Sequence, residues 1–334
     1  MLDIKFNNNY CMVIAEIGIN HNGDLDTAKE LITKAKNSGV DIVKFQNISK
    51  ETGYNYAQKN NEIYRSIKKY SLKNEDYIAL QKFCYDNDIL FMSSAADVPA
   101  ARFLNKLNVP CFKVSSGNFT NFHLIYEISK YKIPVIFSIG MSNPKEIDLV
   151  TKYIRKCNID SFAYTYCVSQ YPAELKNINF QVMLDVKEKY HIPIGFSDHT
   201  EGIISSIIGR VLGACIIEKH FTLDRNMDGP DHNFSLLPEQ MKLLVDSIRN
   251  IEEILFSKKS TNAGELEIKS QIRRTLYFNK KLNLGQVITF DDIAAKRPFN
   301  TKGVSPVDFE NIIGKKVNQE VCLDQLITEN ILYD

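Results

Sequence analysis

The chain has 334 residues, 44% of them hydrophobic and 24% charged, with a formal net charge of +1. That length suits one large domain and a small one. The balanced charge excludes a global field for nucleic acid or an anionic membrane, and no run of 18 apolar residues could span a bilayer. Residues 1–10 lack the apolar core of a signal peptide. The seven cysteines are odd in number and form no CxxC pair, as expected of small buried hydrophobes in a reducing cytoplasm.

In chain order, apolar runs at 12–17, 42–46, 90–93, 111–115, 135–138, 162–167, 194–196 and 215–220 read as strands. Amphipathic segments at 25–38, 75–87, 98–107, 122–130, 144–156, 180–189, 201–212 and 238–256 read as helices. Eight strands, each followed by a helix, predict a (β/α)8 barrel over residues 1–256. The runs are nearly continuously apolar, as strands buried on both faces must be. Residues 47–73, rich in Asn, Lys and Tyr, form a connection long enough for a lid or binding loop, or a solvated excursion. The polar stretch from 257 to 272 reads as a linker. Residues 273–334 read as a small β-rich module, with strands at 275–278, 285–288, 317 and 321–323. No internal repeat is evident.

A barrel enzyme builds its site at the C-terminal ends of its strands. Those ends carry Glu16; Lys44 and Gln46; Ser93 and Ser94; Lys113, Ser115 and Ser116; Ser138; Tyr166, Ser169 and Tyr171; Ser197, Asp198 and His199; and Glu218 and His220. Two lysines among small hydroxyls suit a phosphate or other anion; alternatively, they pair structurally with Glu16, Asp198 or Glu218. His199 and His220, with Asp231 nearby in sequence, suit a divalent cation of the Mn2+, Co2+ or Zn2+ type. His232 is either a further ligand or a loop residue. His21 either contacts ligand or orders its turn.

Several stretches together carry a family resemblance: 15–24 (AEIGINHNGD), 43–46 (VKFQ), 113–117 (KVSSG), 138–141 (SIGM), 171–172 (YP), 195–200 (GFSDHT), 218–224 (EKHFTLD) and 229–232 (GPDH). In this order, the chain resembles the sialic acid synthase family, which includes legionaminic acid synthases and spore-coat polysaccharide relatives. Residues 273–276 (RRTL), 284–288 (LGQVI) and 296–298 (KRP) resemble the antifreeze-like (SAF) domain fused to these synthases.

The resemblance implies condensation of phosphoenolpyruvate with an open-chain N-acetylated amino sugar, such as N-acetylmannosamine or a 2,4-diacetamido-6-deoxy-mannose. Its products are a nonulosonic acid and phosphate. C3 of phosphoenolpyruvate attacks the sugar aldehyde, water attacks C2, and phosphate leaves by C–O cleavage. By the same resemblance, Lys44, Lys113, Ser94, Ser116, Ser138, Ser169 and Ser197 hold phosphoenolpyruvate. Glu16, Gln46, Tyr171 and Asp231 hold sugar hydroxyls. His199 and His220 hold the metal, Mn2+ foremost, with Mg2+ or Co2+ as alternatives. Glu16, Lys44, Lys113, Glu218 and Asp231 form the catalytic set. A head-to-tail homodimer is implied, in which Arg297 enters the partner's site and meets the sugar's acyl group.

The chain departs from the family pattern in three places. Residues 93–97 read SSAAD where the family has Ser-Thr-Pro-Phe-Asp. Asn118 stands where the family has a glutamate, and an amide cannot transfer a proton. The turn after Arg297 also differs. These departures leave open a synthase for another aldose, of the spore-coat or surface-polysaccharide kind, or a ligand-binding member without turnover. Either another carboxylate, Glu218 or Asp231, carries the proton, or the activity or acceptor has changed.

Overall fold

The structure, a computed structural model, describes residues 4, 6–7, 9–47, 69–257, 262–297 and 299–334. The chain divides into two units, Met1–Ser257 and Lys258–Asp334. In the first, β1 (Met12–Gly18), β2 (Ile42–Asn47), β3 (Leu90–Ala95), β4 (Phe112–Val114), β5 (Val135–Ser138), β6 (Phe162–Tyr166), β7 (Ile194–Asp198) and β8 (Ile216–His220) form a closed barrel in sequence order. β8 closes on β1 in parallel, pairing Glu16 with His220. The expected (β/α)8 architecture is the observed one.

The helices are α1 (Leu25–Asn37), α2 (Asn74–Asp86), α3 (Val98–Lys106), α4 (Phe122–Ser129), α5 (Pro144–Lys156), α6 (Phe180–Tyr190), α7 (Ile204–Val211) and α8 (Pro238–Phe256). Most of their starts are written in the sequence. Asp24 accepts from Thr27 N and Asp97 from Ala100 N, while Asn143 and Glu146 form a capping box ahead of Pro144. Asp97, one of the residues retained in the family-like stretch 93–97, thus serves as a helix cap.

Strand alternation divides the interior into two layers. Outward side chains such as Val13, Val43, Phe112, Phe137 and Ile217 pack under the helices. Inward side chains near the strand beginnings, Ile14, Ile42, Met92, Ile136 and Ile216, make a separate apolar plug with Ile4. One inward step further along, the same strands present polar groups. Most of the long connection at 47–73 lies outside the described residues.

The second unit contains α9 (Ala263–Ile272), β9 (Thr275–Phe278), β10 (Ile293–Lys296), β11 (Lys316–Val317) and β12 (Leu332–Tyr333) around its own core. Part of the stretch read as a linker is therefore helical, started by the Asn262 and Glu265 capping box. The expected strand at 285–288 is instead a turn: Gly285 has φ 77° and the Gln286 side chain accepts from Asn283 N. The second strand of the pair is β10, antiparallel to β9.

An internal repeat, not apparent from the sequence, relates 282–293 to 321–332. Leu284, Gln286, Ile288 and Thr289 recur as Leu323, Gln325, Ile327 and Thr328. Both copies carry a left-handed residue, Gly285 and Asp324. Each uses a glutamine to accept a backbone N–H three residues earlier, and each ends in a 3-10 turn, Phe290–Asp292 and Glu329–Ile331. Leu282 and Val321 exchange reciprocal backbone hydrogen bonds. Substitution at most positions of the repeat hides it from inspection of the letters.

Candidate active site

The polar ends of the strands enclose a cavity of about 540 Å³ lined by Glu16, Lys44, Gln46, Ser94, Lys113, Ser116, Asn118, Ser138, Ser169, Tyr171, Ser197, His199, Glu218 and His220, among others. Thirteen of the fourteen site residues expected in the barrel unit line it, His199 and His220 among them. Asp231 borders it from the β8–α8 loop: its Oδ2 is 3.7 Å from His220 Nδ1. Arg297 belongs to the second unit, where it is exposed and its Nε donates to Ile272 O at 2.8 Å.

The floor is a chain of buried charges. Lys44 Nζ is 2.8 Å from Glu16 Oε2 and 3.6 Å from Glu218 Oε1. Lys113 Nζ is 3.1 Å from Glu218 Oε2, and Ser197 donates to Glu218 Oε1 at 3.0 Å. Both lysines are almost fully buried, at 4% and 2% exposure. Such ammoniums are tolerable only beside carboxylates or another anion. The two carboxyls are driven apart. Burial alone would raise Glu218, but Lys113 and Lys44 outweigh it and hold the carboxyl at about 2. Burial raises Glu16, with Lys44 opposing and the Glu218 charge adding to the rise. Burial would also discharge Lys44, yet Glu16 and Glu218 keep its ammonium favoured.

One wall is built of hydroxyls. A Cβ on Gly140 would sit 2.5 Å from Ser169 Oγ, 2.6 Å from Cys167 Sγ and 2.7 Å from Ser116 Oγ. Only glycine lets these three side chains converge. Ser169 Oγ is buried without a hydrogen-bond partner, while Ser138 pairs with Thr165 Oγ1 at 2.8 Å. Cys167, expected to be a packing residue, is buried and also lines the cavity.

A second space opens at Gly18, which adopts φ 55° where the β1–β2 register shifts. A Cβ there would lie 3.2 Å from Gln46 Nε2, 3.3 Å from Glu16 Oε1 and 3.7 Å from Asp231 Oδ2. Gln46 also donates to Glu16 at 2.8 Å. Burial, then the nearby Glu16 charge, raises the Asp231 carboxyl to about 6.

The imidazoles of His199 and His220 lie edge to face with ring centroids 5.7 Å apart. His199 Nδ1 is 2.8 Å from Val168 O. A carbonyl only accepts, so Nδ1 carries the proton and Nε2 keeps its lone pair. His220 Nδ1 is buried without a hydrogen-bond partner. Burial lowers the pKa of both rings and keeps them uncharged. Tyr171 packs over His199 at 4.3 Å and Phe234 against His220 at 5.0 Å. Among the described residues, no cluster of three or more His, Cys, Asp or Glu side chains is placed to hold a cation.

Several polar residues read as facing the mouth do not. Asp198 is turned out toward the helix layer, where Lys219 Nζ lies 3.0 Å away and Thr200, Ser205 and Ser206 donate to its carboxylate. It pairs with neither Lys44 nor Lys113. β7–β8 register sets Asp198 against Lys219, and alternation points both away from the barrel axis. Tyr166 likewise faces outward: its hydroxyl accepts from Asn179 N. His21 orders its turn by accepting from Gly23 N at 3.0 Å. His232 is buried in the β8–α8 loop between Thr222 and Asn22. Gly18 and Gly140 were missed because their contribution is an absent side chain. Their only sequence signal is a glycine at or just beyond a strand end.

Residues 31–260 match the NeuB family. The chain belongs to that family. It is 37% identical to the N,N'-diacetyllegionaminic acid synthase of Legionella pneumophila, over 93% of this chain and 91% of that protein. It is 34% identical to the human N-acetylneuraminate-9-phosphate synthase, over 96% and 92%. The solved N-acetylneuraminic acid synthetase of Leptospira borgpetersenii, in complex with citrate, superposes with a TM-score of 0.74 at 31% identity, covering 80% of this chain and 93% of that one. This NeuB-family chain is thus an enzyme of the sialic acid synthase kind, with its polar cavity at the barrel mouth. Among the described residues, no helix is long and apolar enough to cross a membrane.

Proposed function

We propose that the enzyme condenses phosphoenolpyruvate with an N-acetylated amino sugar to give a nonulosonic acid and phosphate. The observation that carries this reading is the pairing of two distinct spaces over one buried charge chain. The hydroxyl cradle at Gly140, beside Lys113, suits the phosphate and carboxylate of phosphoenolpyruvate. The space at Gly18, ringed by Glu16, Gln46 and Asp231, suits the hydroxyls of a sugar.

Lys44 and Lys113 fix the anion, with Ser94, Ser116, Ser138, Ser169 and Ser197 as neutral donors. Glu218 is held by two ammoniums and Ser197, so its part is to orient the lysines. Asp231 is the carboxyl beside the acceptor space. It takes the proton-carrying place that Asn118 cannot fill, Asn118 Oδ1 being occupied as acceptor for Asn121 Nδ2.

The histidine pair fits a divalent cation, Mn2+ foremost. His199 Nε2 offers a lone pair, and His220 has a buried ring nitrogen lacking a partner. Substrate and water would complete the shell. The charge balance points the same way. Two lysines already face two carboxylates, while phosphoenolpyruvate brings a carboxylate and a phosphate bearing about two negative charges. When bound, the cation would supply Lewis acidity to the acceptor carbonyl.

The second unit reads as the antifreeze-like domain of a head-to-tail homodimer that places Arg297 in the partner's site. The exposure of Arg297 supports this. Mixing a Lys113→Met variant with an Arg297→Ala variant should restore part of the activity. No recovery after verified subunit exchange would contradict the shared site.

The direct test is phosphate release from phosphoenolpyruvate with Mn2+ and a panel of N-acetylmannosamine and 2,4-diacetamido-6-deoxy-mannose. Release dependent on one acceptor is expected. Binding of phosphoenolpyruvate without release, for any acceptor, would favour a ligand-binding protein.

A further inference from the structure

The loop between β8 and α8 carries Asp231 and, next to it, His232. His232 is buried at 1% exposure yet does not line the cavity. Its Nδ1 lies 2.6 Å from Thr222 Oγ1 and its Nε2 3.3 Å from Asn22 Oδ1. One ring therefore ties the start of its own loop to the loop after β1. The loop folds tightly over it: a Cβ on Gly229 would sit 2.7 Å from His232 Cδ2, and Gly229 adopts φ 150°.

A second tie reaches Asp231 from the other side. Asn20 donates to Phe221 O at 2.9 Å and to Ser235 Oγ at 3.0 Å, and Ser235 donates to the Asp231 carbonyl at 2.5 Å. Among the described residues, no side chain donates a hydrogen bond to the Asp231 carboxylate. Among the described residues, the backbone of this loop is what chiefly sets its place beside His220, 3.7 Å away, and the Gly18 space.

We infer that His232 is a positioning residue whose imidazole pins the β8–α8 loop so that the Asp231 carboxylate faces the acceptor space. The inference rests on the reading that Asp231 meets the acceptor sugar. It accounts for a buried histidine beside the site that touches neither the cavity nor the histidine pair.

The test uses the full chain with His232→Ala and His232→Gln. Hydrogen–deuterium exchange without substrates should quicken about tenfold across 221–236 in His232→Ala, the loss of roughly one hydrogen bond, with the barrel strands unchanged. The acceptor KM should rise about tenfold by the same reasoning, while the phosphoenolpyruvate KM stays within about twofold. His232→Gln, whose amide can still reach Thr222, should recover part of both effects. Unchanged loop exchange, or an equal rise in both KM values, would overturn the inference. If His232→Ala loosens the whole barrel, His232→Gln and Asn22→Ala decide by the same exchange measurement. Should the wild-type protein release no phosphate with either acceptor, the functional reading fails separately, and the exchange result still decides whether His232 holds the loop.

Discussion

The two ends of the barrel are made from the same strands and differ in almost everything else. At the entry end, the inward positions are Ile14, Ile42, Met92, Ile136 and Ile216, packed with Ile4. Two residues further on, the same faces present Glu16, Lys44, Ser94, Ser138 and Glu218. One step of the period-2 alternation turns a plug into a site. The entry end needs only volume and apolarity, so it tolerates substitutions that keep both. The mouth holds unlike charges out of water, where each group depends on its partner.

That contrast can be broken from the mouth first. Lys113→Met removes a cavity cation and leaves Glu218 with Lys44 at 3.6 Å as its remaining ionic partner. Acceptor-dependent phosphate release should fall about a thousandfold or more, by analogy with loss of a preorganised charge-stabilising donor. Behind the mouth, Lys219→Met strands Asp198 as a fully buried, uncompensated charge. The barrel unit should lose about 3–5 kcal/mol of stability, read by denaturant unfolding. Adding Asp198→Asn should return much of it, and failure to do so would show that the pair matters for more than charge balance.

Gly140→Ala sharpens the comparison by adding one methyl to the hydroxyl cradle. An intrusion of this kind costs about 1–3 kcal/mol, expected as weaker phosphoenolpyruvate binding by titration calorimetry with little change in acceptor KM. The smallest effect is expected at the plug. Ile14→Val should cost about 0.5–1.5 kcal/mol and leave both KM values unchanged.

The barrel was legible because every strand is a short apolar run and most helices carry a cap written in side chains, as at Asp24, Asp97 and Asn143. The site was legible because a barrel assigns strand ends to one mouth. Which polar residue faces inward was less so. Asp198 and Lys219 lie beside Ser197 and Glu218 in sequence but on the opposite face, and only the pairing register separates them. Gly18 and Gly140 work through space they leave empty, which composition does not reveal. In the second unit, a strand at 285–288 was expected from apolar content, yet Gly285 and the Gln286 side chain make a turn. The repeat of 282–293 in 321–332 emerges only when the left-handed residues and glutamine contacts are seen to coincide.

The central claim is that the mouth joins phosphoenolpyruvate to a sugar. The most direct measurement uses phosphoenolpyruvate labelled with oxygen-18 at its bridging oxygen, with Mn2+ and each acceptor, and follows product and phosphate by mass spectrometry. The expected result is a new acid with the mass of acceptor plus pyruvate, and the label in phosphate. Pyruvate carrying the label, with the acceptor unconsumed, would mean hydrolysis at phosphorus and would contradict the account.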